Sequence, residues 1–198
     1  MKNLVASIAA VVVLTAFFGF VYPLVMTGFA SVAFPGKAHG SLIHRNGKIV
    51  GSKLAAQSFT WPRYFHERPS GTAPAYNAGA TTFLNLGPTN PDLAKLVASN
   101  AQAILKLERP YNPGLTIHDI PVDAVVTSAS GIDPDISPAA AFYQVARVAA
   151  ERHVGEDAVR NLVTAHVTPR QFGLLGEPRV NVLELNLALD DMAPAASK

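Results

Sequence analysis

The longest apolar segment of the chain lies at its amino terminus. No charged residue occurs from Leu4 to Phe34, whereas Lys2 precedes this segment and Lys37 follows it. Because a helix needs about 20 apolar residues to cross a hydrocarbon core, the segment predicts one transmembrane helix. We therefore expect residues 1–35 to form a membrane anchor in which the helix satisfies its own backbone amides.

A cleaved signal peptide is the alternative interpretation of this segment. A short basic start, an apolar stretch and small residues at positions 31–33 would suit cleavage. The apolar cores of signal peptides run for about 7–15 residues, however, and the stretch from Leu4 to Met26 is already longer. The length favours a retained anchor.

Small or polar residues recur at every fourth position of the predicted helix. They are Thr15, Gly19, Pro23, Thr27 and Ser31. Such residues let helices approach closely in a membrane, where no hydrophobic drive pulls helices together. The stripe is a candidate packing face, although these residue types are also common in membrane helices without that role. Pro23 also predicts a kink.

The pattern after the anchor is more varied. Residues 36–40 are predicted to be a linker, and Asn46-Gly47 predicts a β-hairpin because both residues accept positive φ. The segment from Gln57 to Pro91 is rich in Pro, Gly, Asn and aromatic residues without a sustained period. Its length makes it a candidate for function, and its aromatic side chains are expected to be buried.

Three helices are predicted by their caps and their periodicity. Asn90-Pro91 supplies an N-cap and a first-turn proline for a helix that ends before Pro110. Ser137-Pro138 starts a second helix, which Gly155 is expected to end. Residues 157–166 predict a third, shorter helix.

Two further segments have the pattern of β-strands. Three of the five residues from 122 to 126 are valines, which favours a short strand. In the segment VNVLELNLALD, leucines alternate with polar residues. The alternating leucines are Leu183, Leu185, Leu187 and Leu189. The order of elements predicts an α+β soluble domain over residues 36–191 that follows the single transmembrane helix, and residues 192–198 are expected to form a disordered tail.

Composition narrows the classes of function. Only 15% of the residues are charged, against about 25% in soluble domains, which fits a chain that is partly embedded in a membrane. The net charge is +2 and the basic residues are scattered, so nucleic acid is not an expected partner. The chain has no cysteine, which excludes disulfides, thiolate metal sites and a cysteine nucleophile.

The most prominent candidate for chemistry is the pair Asp133 and Asp135, in the stretch SGIDPDISP. Asp133 precedes a proline and is expected to adopt an extended or turn conformation, and Asp135 is expected to bond a nearby backbone amide in a turn. We therefore interpret the stretch as a turn that leads into the helix at Ser137. Two aspartates fall far short of a calcium loop.

The sequence contains none of the other common catalytic motifs. The sequence has no phosphate-binding loop, no G-x-S-x-G elbow and no H-E-x-x-H helix. The six histidines show no spacing typical of metal ligands. Arg68 and Arg179, each beside a proline, are expected to form structural ion pairs with acidic residues.

Several long strings in the chain together resemble one protein family. The strings are GSKLAAQSF, YFHERPS, YNAGATTFLNLGPTNPDL, DAVVTSASGIDPDISPAAAFYQVARVA and LGEPRVNVLELNLALD. The apolar segment followed by these strings in this order resembles the C subunit of Kdp-type potassium-transporting P-type ATPases. The resemblance covers nearly the whole chain.

The resemblance implies a non-catalytic subunit of a bacterial inner-membrane complex that imports potassium with high affinity by hydrolysing ATP. Its implied partners are a channel-like subunit that carries the ion and a P-type subunit that forms the aspartyl-phosphate. The C subunit is needed for assembly and acts as a catalytic chaperone that raises the ATP affinity of the hydrolysing subunit. No metal is implied for this chain, and it lacks the D-K-T-G motif of P-type pumps.

The resemblance also implies one nucleotide-linked residue, Gln57, which matches a glutamine in a G-S-x-L-x-x-Q block. Two departures from the family pattern lie nearby in the chain. Ala55-Ala56 stand where Ile-Gly is usual, and Thr82-Phe83-Leu84 stand where a Gly-Gly-Ser run often precedes the asparagine matched by Asn85. Phe83 cannot reproduce the backbone freedom of a glycine, which counts against phosphate binding by this loop.

Sidedness and two rival functions stay open at this stage. Basic residues flank the apolar segment on both sides, so charge alone does not orient it. The family is drawn with its soluble domain on the periplasmic face, which we adopt, although a domain there would not meet ATP. The rival functions are an envelope-anchored hydrolase that uses Asp133, Asp135 and nearby histidines, and an exported binding protein with a cleaved leader.

Overall fold

The computed structural model describes residues 2–81 and 84–192. The chain forms two compact units, Met1–Val50 and Gly51–Lys198. The predicted boundary at residue 35 and the predicted disorder of the tail stay predictions, since residues 193–198 lie outside the described part. The α+β fold class is confirmed, because an apolar helix precedes a mixture of helices and small sheets.

The first unit is dominated by one long helix. It consists of α1 (Lys2–Ala16), a π-helical turn (Phe17–Val21) and α2 (Tyr22–Ala33). Its most apolar stretch of 18 residues has a mean hydropathy of 2.6, and none of the residues of the helix is buried. With about 1.5 Å of rise per residue it is long enough to cross a bilayer. A short helix, α3 (Pro35–Ala38), occupies most of the predicted linker.

Pro23 explains the position of the π turn. The amide of Tyr22 donates to the carbonyl of Phe17, five residues back, instead of the carbonyl four residues back. Proline has no amide hydrogen, so one helical hydrogen bond is lost at Pro23 in any case. The switch in hydrogen bonding falls where the ladder is already interrupted, and local π turns are a common cause of bending.

The hairpin after the anchor is confirmed. Strands β1 (Leu42–Arg45) and β2 (Lys48–Ser52) pair in a two-stranded sheet. Asn46 and Gly47 connect them with φ values of 52° and 73°. Both residues thus adopt the left-handed conformation that a tight hairpin turn requires.

The second unit contains six helices and a three-stranded sheet among its described residues. The helices are α4 (Pro91–Glu108), α5 (Val122–Val125), α6 (Pro138–Phe142), α7 (Val145–Arg152), α8 (Glu156–Ala165) and α9 (Val182–Met192). The strands are β3 (Asp135–Ile136), β4 (Val167–Thr168) and β5 (Arg179–Asn181), with a 3₁₀ turn at Ile117–Asp119. Strand β5 lies in the centre and pairs antiparallel with both neighbours, so that Ile136 and Val167 each lie opposite Val180.

Two helix starts were predicted correctly from their caps. The Asn90 side chain accepts a hydrogen bond from the amide of Asp92 at the start of α4. The Ser137 hydroxyl accepts from the amide of Ala140 at the start of α6. The second predicted helix is however divided at Tyr143–Gln144, and it ends at His153 in the left-handed conformation. Gly155 instead lies at the N-cap of α8.

Both predicted strands of the second unit are wrong. Residues 122–125 form the single helical turn α5, in which the neighbours Ala124 and Val125 are both buried. The amide of Val126 donates to the carbonyl of Val122, four residues back, which is the hydrogen bond of a helix and not of a strand. The leucine-rich segment forms α9, whose buried residues include Val182, Leu185, Asn186 and Leu189 at helical spacing.

The long loop before α4 has no helix or strand in its described residues, and side chains from the helices hold it. Phe65 is completely buried in the core formed by the helices and the sheet. Its backbone amide and carbonyl both bond to the side chain of Asn186, at 2.9 Å each. The expected burial of all its aromatic residues is wrong for Trp61, which is 63% exposed and lies against the Arg63 guanidinium.

Candidate functional site

The second unit contains a cavity of about 400 Å³ beside the long loop. One wall is formed by loop residues between Ser58 and Tyr76, and another by α4. Its apolar lining includes Phe59, Ile104, Leu107 and Tyr143. Among its polar lining residues are His66, Glu67, Glu108 and Gln144. A concave, mostly apolar pocket with a few converging polar groups is the usual form of a small-molecule site.

Glu67 is the most perturbed acid at the cavity. Burial raises the pKa of its carboxyl to about 7, and the hydrogen bonds from the amides of Gln57 and Phe59 only partly oppose that shift. The Gln57 amide donates to Oε1 at 3.1 Å, whereas Oε2 is buried without a hydrogen-bond partner. Glu67 therefore ties the segment around Gln57 to the loop.

His66 is perturbed in the opposite direction. Burial and the positive charge of Arg147 lower the pKa of its imidazole to about 4, so the ring is neutral at pH 7. Its Nε2 lies 3.1 Å from the carbonyl oxygen of Trp61. Its backbone amide donates to Gln144 Oε1 at 2.8 Å. The first contact lies within the loop, and the second fixes the loop to the junction between α6 and α7.

A buried ion pair lies behind the cavity. Arg147 Nε donates to Glu108 Oε1 at 2.7 Å, and both side chains are almost completely buried. The Arg147 guanidinium also donates to the carbonyl oxygens of Pro62 and Tyr64 and to Gln144 Oε1. One arginine thus joins α7, α4 and the long loop. Burial raises the pKa of the Glu108 carboxyl despite this arginine.

Asp133 and Asp135 both make structural contacts, as the sequence predicts, but the stretch is more than a turn, because Asp135 and Ile136 form strand β3. Asp133 bonds Arg68 at 2.8 Å and accepts from the amide of Asp135 at 3.1 Å. Asp135 bonds Arg179 at 2.9 Å and accepts from Asn181. The two ion pairs predicted for Arg68 and Arg179 are therefore confirmed. Asp133 is thus the aspartate that accepts a hydrogen bond from a nearby backbone amide, whereas the sequence suggests Asp135 for that role.

Gln57 lies outside the lining of the cavity but next to it in the chain. A methyl group added at Gly51 would come within 1.6 Å of Gln57 Nε2 and 2.8 Å of Leu183, so glycine at that position leaves room for the amide side chain. The charges around Gln57 do not suit a triphosphate. Glu67 is bound to its amide, and Lys53, four residues earlier, is paired with Glu184.

The loop that departs from the family pattern is only partly described, since Thr82 and Phe83 lie outside the described residues. Leu84 and Asn85 line a second cavity of about 330 Å³, together with residues from α4 and the segment 126–129. Asn85 has a φ of 50°, the left-handed conformation that asparagine tolerates. Among the described residues, no group of three acidic or histidine side chains could hold a metal ion.

The five stripe residues all lie on the long helix, with the π turn among them. At about 100° per residue, positions four apart drift by about 40°, so an uninterrupted α-helix would spread the stripe from Thr15 to Ser31 over about 160°. A π turn accommodates about one extra residue and takes back about 100° of that drift. The stripe is therefore brought nearer to a single face.

Sequence reasoning missed Glu67, Arg147 and Asn186. Glu67 lies among polar residues in the sequence, and nothing in its spacing signals burial. The partners are distant in the chain, as for Arg147 and Glu108, which are 39 residues apart. Arg147 left a signal, because valines and alanines flank it on both sides. Asn186 left another, because it follows Val182 and Leu185 at helical spacing.

Comparison with known proteins gives consistent matches over nearly the full length. The family described as "K+-transporting ATPase, c chain" matches residues 4–191. A potassium-transporting ATPase KdpC subunit of Burkholderia orbicola is 53% identical over 96% of this chain and 97% of that protein. Proteins of the same name are 48% identical in Koribacter versatilis, over 98% of this chain and 96% of the relative, and 50% identical in Methylobacterium nodulans, over 92% and 93%.

Proposed function

The chain belongs to the KdpC family, the c chain of K+-transporting ATPases, and on that premise we propose that it is a single-pass accessory subunit of an ATP-driven potassium uptake complex. The match over residues 4–191 carries the proposal, because it includes both the membrane helix and the second unit. The proposed partners are a channel-like potassium-translocating subunit and a P-type subunit that hydrolyses ATP. The proposed location is the bacterial inner membrane.

The proposed role is non-catalytic. Asp133 and Asp135, the carboxylates that a hydrolase would need, are both held by arginines and by backbone or amide groups. None of the described residues that line the groove around them is a histidine. This arrangement supports a structural role for the two aspartates around strand β3 and gives no support to an acid–base pair.

The proposed effect on ATP is indirect. The chain would raise the ATP affinity of the hydrolysing subunit by stabilising the assembled complex, since the charges near Gln57 do not suit the phosphates of the nucleotide. Gln57 remains the residue whose change tests a direct role. We also propose that the second unit lies on the extracytoplasmic face. A domain on that face would not meet ATP in the cytoplasm, so its effect on ATP affinity would be indirect.

The proposed packing face of the membrane helix is the stripe that begins at Thr15 and ends at Ser31. Small side chains allow close approach of a second helix, and the π turn reduces the angular spread of the stripe. A helix of another subunit is the proposed occupant of this face.

The decisive experiment compares the complex purified with and without this chain. We expect the complex that lacks the chain to show a higher KM for ATP and a weaker association of its remaining subunits. Unchanged ATP affinity, potassium affinity and subunit association would refute the proposal. In the complete complex, Gln57→Ala should leave the KM for ATP close to that of the wild type if the effect is indirect, whereas a large rise with intact assembly would indicate direct contact.

Sidedness is tested separately with Asn46→Cys. The native chain has no cysteine, so a thiol reagent that cannot cross the membrane labels only this position. We expect the cysteine introduced at position 46 to be labelled in cells whose outer membrane alone has been made permeable. If it is labelled only after the inner membrane is opened as well, the hairpin lies in the cytoplasm.

A further inference from the structure

The loop between β4 and β5 forms a short, well-defined hairpin. The two strands pair through Val167 opposite Val180 and Thr168 opposite Arg179. Further out, Gln171 and Leu175 exchange two backbone hydrogen bonds of 2.9 Å each. The amide of Gly173 donates to the carbonyl of Arg170, which closes the end of the loop. We call Phe172, Gly173, Leu174 and Leu175 the apolar tip.

The apolar tip projects its large side chains into solvent. Phe172 is 88% exposed, Leu174 76% and Leu175 56%. Single exposed apolar residues are ordinary on protein surfaces, but three large ones within four positions of one hydrogen-bonded turn are a local concentration of exposed apolar surface. Such patches mark interaction sites on soluble domains.

The backbone of the tip supports the same conclusion independently. Phe172 has a φ of 56°, in the left-handed region that favours glycine or asparagine. A bulky aromatic residue is strained there, and its exposure in this position adds no burial energy to offset the strain. Strained residues that contribute nothing to the fold are typical of functional sites.

The charges at the base of the hairpin indicate which kind of partner fits. Arg170 bonds both carboxylate oxygens of Glu177, at 2.8 and 2.6 Å, and Arg179 is paired with Asp135. Both flanking arginines are thus neutralised, whereas loops that bind anionic lipid surfaces rely on basic residues. A symmetric pair of chains in which the two tips met would bring two convex surfaces together. An uncharged, convex tip instead fits a concave apolar pocket on a different protein.

We propose that the apolar tip of the β4–β5 hairpin is a docking element that inserts Phe172 and Leu174 into an apolar pocket on another subunit of the potassium-transporting complex. The inference rests on the proposed function, because that function supplies the partner. A rigid turn that presents aromatic and aliphatic anchors loses little conformational entropy on binding, which suits such a contact.

Photocrosslinking in native membranes tests the contact directly. The full chain carries benzoylphenylalanine at Phe172, or at the exposed Ile117 as a matched control. We expect an adduct to another subunit of the complex, identified by its peptides, from position 172 and not from position 117. Adducts to lipid alone, adducts to a second copy of this chain, or no adduct beyond the control would each overturn the inference.

A substitution separates docking from a structural role. Phe172→Asn places a residue that tolerates the left-handed conformation at the strained position. The thermal midpoint of the full chain in detergent should stay constant or rise, while the variant should dissociate from the other subunits about tenfold faster than the wild type. A lowered midpoint, or dissociation at the wild-type rate, would reject the inference. If the wild-type chain itself does not co-purify with the other subunits, the proposed function fails instead.

Discussion

Asn186 shows how a single polar side chain fixes the longest loop of the second unit. Its carboxamide is 1% exposed and bonds both the amide and the carbonyl of Phe65, as a neighbouring strand would do. Without it, two backbone groups of a completely buried residue would lack partners. The loop therefore depends on a helix that begins more than a hundred residues later.

Replacement of this residue should be costly. Asn186→Ala leaves the Phe65 amide and carbonyl unpaired, and we expect a loss of about 3 kcal/mol in the free energy of unfolding. Chemical denaturation of the full chain in detergent measures it. Asn161→Ala, at an exposed position of α8, is the matched control and should change the free energy by less than about 0.5 kcal/mol. Equal effects of the two variants would contradict the role of Asn186.

Glu67 should give the protein a distinctive dependence on pH. Its folded pKa of about 7 exceeds the ordinary value of 4.5, so between those values the folded state binds more protons than the unfolded state. Stability contributed by this group is therefore greatest below pH 4.5 and is lost as the pH rises towards 7. His66, whose pKa is lowered to about 4, acts in the opposite direction, since stability rises as its unfolded form deprotonates.

The variant Glu67→Gln isolates the acid from the histidine. Glutamine keeps an oxygen for the Gln57 amide but does not titrate. We expect the thermal midpoint of the variant, relative to the wild type, to increase as the pH is raised from 4.5 to 7.5. A difference that is constant over this range would show that the carboxyl is not perturbed in the folded chain.

At the scale of elements, Arg147 connects two helices and a loop through a buried pair with Glu108. Arg147→Met would leave the Glu108 charge buried without a partner, and we expect a loss of about 3–5 kcal/mol. The double variant Arg147→Met, Glu108→Gln should recover part of that loss. The exposed pair Arg170–Glu177 provides the control, because Arg170→Met should cost less than about 1 kcal/mol. Denaturation of the full chain in detergent measures all three.

Elements with local signals were predictable from the sequence. The caps at Asn90 and Ser137 and the turn at Asn46-Gly47 depend on neighbouring residues only, and all three are confirmed. Helix α9 was mistaken for a strand because its leucines alternate and Asn186, a buried residue of the helical face, counts as polar. The ion pairs of Arg68 and Arg179 were expected in kind, although not their specific partners.

The cavity could not be predicted in the same way. Its walls come from a loop and from helices that are distant in the chain, and the contacts that shape it join residues such as His66 and Gln144, 78 positions apart. Local pattern carries no information about such pairs. The long loop was recognised as a candidate for function from its length and composition, but not the residues within it that are perturbed.

At the scale of the whole molecule, the chain combines a membrane helix with none of its residues buried and a second unit with a continuous core. Each unit carries one proposed contact surface. We propose that the stripe accepts a neighbouring helix and that the apolar tip enters a pocket on another subunit. Two independent contacts with one complex strengthen each other through effective concentration, so the loss of either one should weaken retention without abolishing it.

The π turn is equivalent to one extra residue inserted into an α-helix. The helical segments before and after it keep the relative orientation that they would have in an α-helix without that residue. Deletion of Phe18, inside the turn, should therefore restore ordinary α-helical bonding and preserve co-purification with the other subunits. Deletion of Val25, inside α2, should rotate Thr27 and Ser31 by about 100° relative to Thr15 and disrupt co-purification. A residue can therefore be removed at the π turn next to Pro23 without changing how the two ends of the helix are oriented relative to each other.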